Sequence, residues 1–219
     1  MKEIALTGVL VESDHQEERV LAQTKLMTLV QALNSEYQAL LGSPFEMTST
    51  TEFRALLKPS EKVFQLLDDL RMILLPDKVK IGIGVGQVER RYYKTNQILL
   101  DGPAFIFAKQ ALKDLEDKDD YGTNQLRVLS GRKDRDDTIN AILAACFFIS
   151  ASWTRNQELV LLKLLDLGIY DETFSNKDLS QSLEISASAL TKRVKASGLK
   201  VYLRNRRIAA QLLYKITEE

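Results

Sequence analysis

The 219-residue sequence predicts an α+β domain over residues 1–151 followed by an all-α domain over 152–219. Three observations carry this. Strand-like apolar segments alternate with helical periodicities along the first part, in the order β-α-β-β-α-β. The periodicity turns purely helical after Trp153. Between Ser186 and Thr217 there are eight basic residues and no acidic one.

Residues 3–11 form an apolar run that reads as a buried strand. Asp14-x-x-Glu17 has the form of a capping box. Behind it Val20, Leu26, Val30, Leu33, Tyr37 and Leu41 recur at helical spacing, predicting a long helix that ends near Gly42-Ser43-Pro44. Residues 45–57 read as two short strands, the second from Phe53 to Leu57. Pro59-Ser60 opens a helix with Val63, Phe64, Leu67, Leu70, Ile73 and Leu74 inward, and Pro76-Asp77 ends it. Residues 78–88 read as a strand with glycine at alternate positions. This order is the split unit of a ferredoxin-like domain. Asp101-Gly-Pro-Ala begins a further helix with Pro in its first turn, its inner face being Phe105, Ala108, Ala111, Leu112 and Leu115. Residues 125–129 read as a strand and 136–151 as an apolar helix.

In the second part, Thr154-x-x-Gln157 is another capping box, opening a helix that stops at Gly168. Residues 175–184 form a short helix capped by Ser175, Glu184-Ile185-Ser186 a tight turn, residues 187–197 a third helix stopped by Gly198, and a last helix runs from Leu199 towards Ile216. Leu179, Leu183, Ile185, Leu190 and Val194 have the spacing of a helix-turn-helix core, although Glu184 stands where Gly is common and Ser180 where Ala usually packs.

Composition narrows the chemistry. Lys+Arg and Asp+Glu are 30 each, so the net charge is zero. The neutral total conceals an asymmetry: residues 153–219 hold 11 basic and 8 acidic residues. A single Cys (Cys146) excludes an intrachain disulfide and a Cys-based metal site. A single His (His15) excludes a His-pair metal site, and it reads as a surface residue at a helix start. Cys146, on an apolar helix, reads as core. No apolar run reaches the roughly 18 residues of a membrane span, and the first residues lack the form of a signal peptide. A soluble cytoplasmic protein with no cofactor is expected.

The helix over 187–197 presents Ser186, Ser188, Thr191, Lys192 and Lys195 outward, residue types that suit phosphate positioning and base-edge contact in a major groove, and Arg193 joins them as a DNA-binding candidate. Lys200 extends the basic set, and Arg204, Arg206 and Arg207 are expected as backbone clamps. Double-stranded DNA is the expected partner, bound by a homodimer whose two units read two half-sites. The glycines Gly82, Gly84 and Gly86 complete neither G-x-G-x-x-G nor a Walker loop, and alternate glycines on a strand let a helix approach closely. Glu12 and Glu52 are the two carboxylates placed where a palm-type domain would hold a divalent metal.

Four stretches resemble the SatD family: Leu6-Thr-Gly-Val-Leu-Val-Glu-Ser13, similar to I-G-D-I-I-D-S; Thr50-Thr-Glu-Phe-Arg54, similar to G-D-E-F-Q; Lys80-Ile-Gly-Ile-Gly-Val-Gly86; and Leu100-Asp-Gly-Pro-Ala-Phe-Ile-Phe-Ala-Lys109. With the C-terminal unit the resemblance covers nearly the whole chain. It implies a bacterial protein with an N-terminal domain similar to nucleotide-cyclase palms and a C-terminal helix-turn-helix. Two departures matter: Val9 stands where the family pattern has Asp, and Thr50-Thr51 where it has Gly-Asp. A vestigial metal or nucleotide site at Glu12 and Glu52 is what remains. The expectation is a transcriptional regulator whose first domain has become a sensor or dimerisation module. The rival readings are a Mg-dependent nucleotide-binding or cyclase-like enzyme with an accessory DNA-binding tail, and an interaction module whose basic tail meets an acidic protein.

Overall fold

The computed structural model describes residues 2–11, 16–92, 98–118 and 124–219. Its elements are strand β1 (Glu3–Val11), helix α1 (Gln16–Glu36), a 3-10 turn (Gln38–Leu40), β2 (Leu41–Met47), β3 (Glu52–Leu57), α2 (Val63–Leu74), β4 (Lys78–Gly86), β5 (Glu89–Tyr92), β6 (Ile98–Asp101), α3 (Pro103–Lys118), β7 (Leu126–Leu129), α4 (Lys133–Ala151), α5 (Arg155–Asp166), α6 (Asn176–Ser182), α7 (Ala187–Ser197) and α8 (Leu199–Glu218). The architecture is mixed α and β. The described residues contain a five-stranded mixed sheet, a separate β5–β6 hairpin and eight α-helices.

The strand order is β2-β3-β1-β4-β7. Strand β1 runs antiparallel to β3 and β4, and β7 is parallel to β4. The alternation of side chains along a strand gives the two sheet faces different fillings. Ile4, Leu6 and Leu10 of β1, with Val79, Ile81, Ile83 and Val85 of β4, face the main core. There they meet α1 (Ala22, Leu26, Leu29, Val30, Leu33) and α2 (Phe64, Leu67, Leu70). The opposite face carries Ala5, Leu56 and the alternate glycines, and α3 lies on it through Ala104, Phe105 and Ala108.

The glycines set that approach. A Cβ on Gly82 would sit 2.0 Å from the Ala108 carbonyl oxygen, and one on Gly84 would sit 1.9 Å from that of Ala104. Both obstacles are backbone, so only glycine lets α3 lie this close. The packing role expected of this strand holds, and the strand is sealed against any phosphate.

Three expectations need correction. Tyr37 and Leu41 do not continue α1: the helix ends at Glu36, and Leu41-Gly42-Ser43-Pro44 is already strand β2. Val20, placed inward by its spacing, is 57% exposed. Ile73 is likewise 45% exposed, because the apolar stripe of α2 runs through Phe64, Leu67 and Leu70 and leaves it outside. The β5–β6 hairpin has no counterpart among the elements the sequence predicts. The Asp14-x-x-Glu17 capping box involves Asp14, and with His15 it lies outside the described residues.

A second apolar cluster gathers Trp153, Leu161, Leu164, Leu165, Leu179, Leu190, Val194, Leu199, Tyr202 and Leu203. Helix α8 runs through both clusters. Its first half carries Tyr202 and Leu203 in the second cluster, and Ala209, Ala210, Leu213 and Ile216 lie in the main core beside α4. The division expected at 151/152 is therefore bridged by the last helix. No helix among the described residues is long and apolar enough to cross a membrane.

Candidate nucleic-acid interface

The C-terminal helices are set by local signals. Thr154 and Gln157 form the expected capping box on α5, with the Thr154 backbone N–H donating to Gln157 Oε1 at 2.8 Å. Ser175 caps α6, its hydroxyl accepting from the Asp178 N–H. Ser186 caps α7 in the same way, accepting from the Ala189 N–H at 3.2 Å. Gly198, at φ 63°, ends α7 in the left-handed region that favours glycine. Glu184 holds the turn between α6 and α7 at φ 54°. This is the position where a glycine would be expected, and here a glutamate adopts the same conformation.

Leu190 and Val194 turn the inner face of α7 onto α5 and α6. The remaining positions 187, 188, 191, 192, 195 and 196 are exposed and form one continuous strip along the helix. The strip carries Ser188, Thr191, Lys192 and Lys195, with Ser186 at its head and Arg193, half-buried, at its side. Ser186 and Ser188 hydroxyls lie 3.1 Å apart, and Thr191 donates to the Ala187 carbonyl. Among the described residues, Lys192, Arg193 and Lys195 have no acidic partner.

The basic residues of α8 behave differently. Arg204 is bound to Glu172 at 2.6 Å, and Arg207 to Glu172 and Asp171 at 3.4 and 3.5 Å. Glu172 is held below the usual carboxylate range, first by its hydrogen bond from Arg204. Lys200 is exposed and sits 4.9 Å from the centre of the Phe174 ring. The loop between α5 and α6 thus supplies a partner to each of these three cations.

Arg206 is a correction. It is 0% exposed and cannot clamp a DNA backbone. Its Nη2 donates to Asp68 Oδ1 at 3.0 Å, and its Nε and Nη2 donate to the Tyr202 hydroxyl at 3.0 and 2.9 Å. The rings of Tyr202, Phe147 and Phe64 surround the guanidinium, with centroids 5.0, 5.4 and 5.5 Å away. Burial works against the Arg206 charge, but Asp68 and the neighbouring hydroxyls more than offset it, so its pKa stands well above normal. Asp68 is also fully buried and accepts from Arg71 at 2.7 Å, from Tyr202 at 2.7 Å and from Tyr170. This cluster joins α2 to α8. It was missed in the sequence, although Asp68 lies one helical turn beyond Phe64 on the inner face of α2. Tyr202 itself is fully buried in the same cluster.

Of the two carboxylates considered for a metal, Glu52 is exposed at the start of β3 and Glu12 lies outside the described residues. Glu52 pairs in register with Val9, whose other neighbour is Lys80 on β4. A row of carboxylate, isopropyl and ammonium does not fit a divalent cation, which asks for several oxygen ligands. No group of three or more His, Cys, Asp or Glu side chains converges among the described residues. Cys146 is buried, and burial raises its thiol pKa, as expected of a core cysteine.

The family model described as SatD family matches residues 3–213. A search of curated proteins returns no match. Among solved structures the chain is similar to a bacterial light-regulated adenylyl cyclase, with 11% identity and a TM-score of 0.42 over 58% of this chain and 74% of that one.

Proposed function

The chain belongs to the SatD family, and from the geometry of its C-terminal helices we propose that it is a DNA-binding transcriptional regulator. In this reading α6 and α7 are a helix-turn-helix and α7 enters the major groove. The observation that carries it is the outer strip of α7: exposed hydroxyls and lysines along one face, without an acidic partner among the described residues, on a helix whose inner face is anchored. Ser188, Thr191, Lys192 and Lys195 make the central contacts, with Ser186 and Arg193 at the margins. Lys200, Arg204 and Arg207 are secondary, because phosphates would have to displace Phe174, Glu172 and Asp171.

The first part would be a ferredoxin-like unit, a reading that the order β2-β3-β1-β4 and its antiparallel pairings support. It would serve as a sensor or dimerisation module in a cytoplasmic homodimer. A catalytic palm is disfavoured by Val9 and by Lys80 next to it in register. The test is selection of genomic fragments by the purified full chain at physiological salt. Enrichment of one palindromic sequence supports both the DNA-binding reading and the dimer, and recovery of fragments without any shared sequence refutes specific recognition.

A further inference from the structure

A cavity of about 480 Å³ opens where β4 begins, α2 ends and α4 hands over to α5, between the sheet and the C-terminal helices. That volume falls in the range of small-molecule sites. Its wall combines an apolar side, including Met72, Phe147 and Trp153, with the cations Arg71, Lys78 and Lys80.

The charge count at this wall is uneven. Two guanidinium groups, Arg71 and Arg206, share the single carboxylate of Asp68. Arg206 is enclosed, whereas the Arg71 side chain is 11% exposed and reaches the cavity. A largely buried cation without a carboxylate of its own carries a desolvation cost that an anion nearby would offset. The two acids in the cavity wall do not supply it, since Asp77 pairs with Lys25 at 3.7 Å and Glu158 with Arg155 at 3.3 Å. Lys78, which is exposed, and Lys80, whose ammonium donates to the Leu115 carbonyl at 3.3 Å, add two further cations. Arg71 is also held in place: its Nε donates to Gln125 and its Nη1 to Asp68 and Tyr202.

We infer that this cavity binds a small organic anion, its phosphate or carboxylate head at Arg71 and Lys78 and its apolar or aromatic body against Phe147 and Trp153. The position gives the occupant a handle on the C-terminal helices. Arg71 bonds Tyr202 of α8, and the Trp153 indole N–H donates to the carbonyl of Ser197, the last residue of α7, at 2.7 Å. That such an occupant would tune DNA binding rests on the reading of α7 above; occupancy itself does not.

Trp153 is the only tryptophan in the chain, so its emission reports occupancy directly in the full-length protein with no DNA present. Phenyl phosphate and benzoate are expected to change it saturably in the millimolar range. Inorganic phosphate, which lacks the body, and benzyl alcohol, which lacks the charge, are expected to bind at least tenfold more weakly. Lys78→Glu should weaken phenyl phosphate at least tenfold, and Ala151→Phe, which fills the cavity from the end of α4, should abolish its binding. Both positions are exposed, and far-UV circular dichroism checks that each variant folds. A response that does not saturate, that benzyl alcohol or inorganic phosphate reproduces equally, or that survives both substitutions overturns the assignment.

Discussion

Arg206→Met separates a structural arginine from a DNA clamp. The substitution keeps an unbranched side chain of similar length and removes the guanidinium. It deletes an ion pair of 3.0 Å with Asp68, two hydrogen bonds to the Tyr202 hydroxyl and the cation–π contacts with Phe64, Phe147 and Tyr202. Breaking one half of a buried ion pair costs about 3–5 kcal/mol. Asp68 would retain Arg71 at 2.7 Å and the hydroxyls of Tyr170 and Tyr202. The lower end, about 3 kcal/mol, is therefore the expected loss. In urea this moves the unfolding midpoint down by roughly 1 M for a chain of this size. Trp153 emission reports the C-terminal cluster, and far-UV circular dichroism reports the whole chain. Because α8 runs through both clusters, the two transitions should move together. The folded variant should bind DNA as the parent does. A loss below about 1 kcal/mol, or a selective loss of DNA affinity at unchanged stability, would refute the reasoning.

Three further outcomes follow from individual positions. Gly84→Ala should destabilise by about 2–3 kcal/mol in thermal unfolding, since its Cβ would meet backbone atoms of Ala104 and Ala108 at 1.9 and 2.3 Å and α3 must lift. Glu184→Gly should stabilise by about 0.5 kcal/mol, relief of the left-handed backbone at φ 54° being partly offset by the freer unfolded chain. Asp69, which accepts from the Tyr37 hydroxyl, is pushed up to about 6 by burial. The folded state therefore holds this proton more tightly than the unfolded chain, where an aspartate titrates at about 3.9. Its contribution to stability is fully present below about pH 4 and is lost as pH rises through about 6. Denaturation midpoints of the parent and Asp69→Asn, compared between these pH values, should differ by that downward slope, and identical profiles would count against it.

What was legible in the sequence was what local chemistry decides. The bounds of α7 follow from a serine that caps its start and a glycine that can turn left-handed at its end, and the structure gives Ala187–Ser197. The glycines of β4 announced a close helix because no other residue leaves that space. Arg206 stands in a run of basic residues that masks its different role. Its place on α8, four residues after Tyr202 and three before Ala209, puts it on the apolar stripe. That register was visible. The acid that makes burial tolerable, Asp68, lies 138 residues away, and only tertiary packing brings the two together. The same holds for Arg204 and Arg207, whose acidic partners sit on a loop that no periodicity describes. The start of β2 was hidden because Leu41 continues the helical spacing of α1 while already pairing with Leu57.

The central claim is that α7 reads DNA. The direct test compares the full chain with the triple variant Lys192→Glu, Arg193→Glu, Lys195→Glu on a genomic fragment selected by the parent, at physiological salt. The variant should keep the parent's Trp153 emission and unfolding midpoint and should bind at least about a hundredfold more weakly, since three contacts become repulsive. A folded triple variant that shifts the fragment as well as the parent would contradict the account.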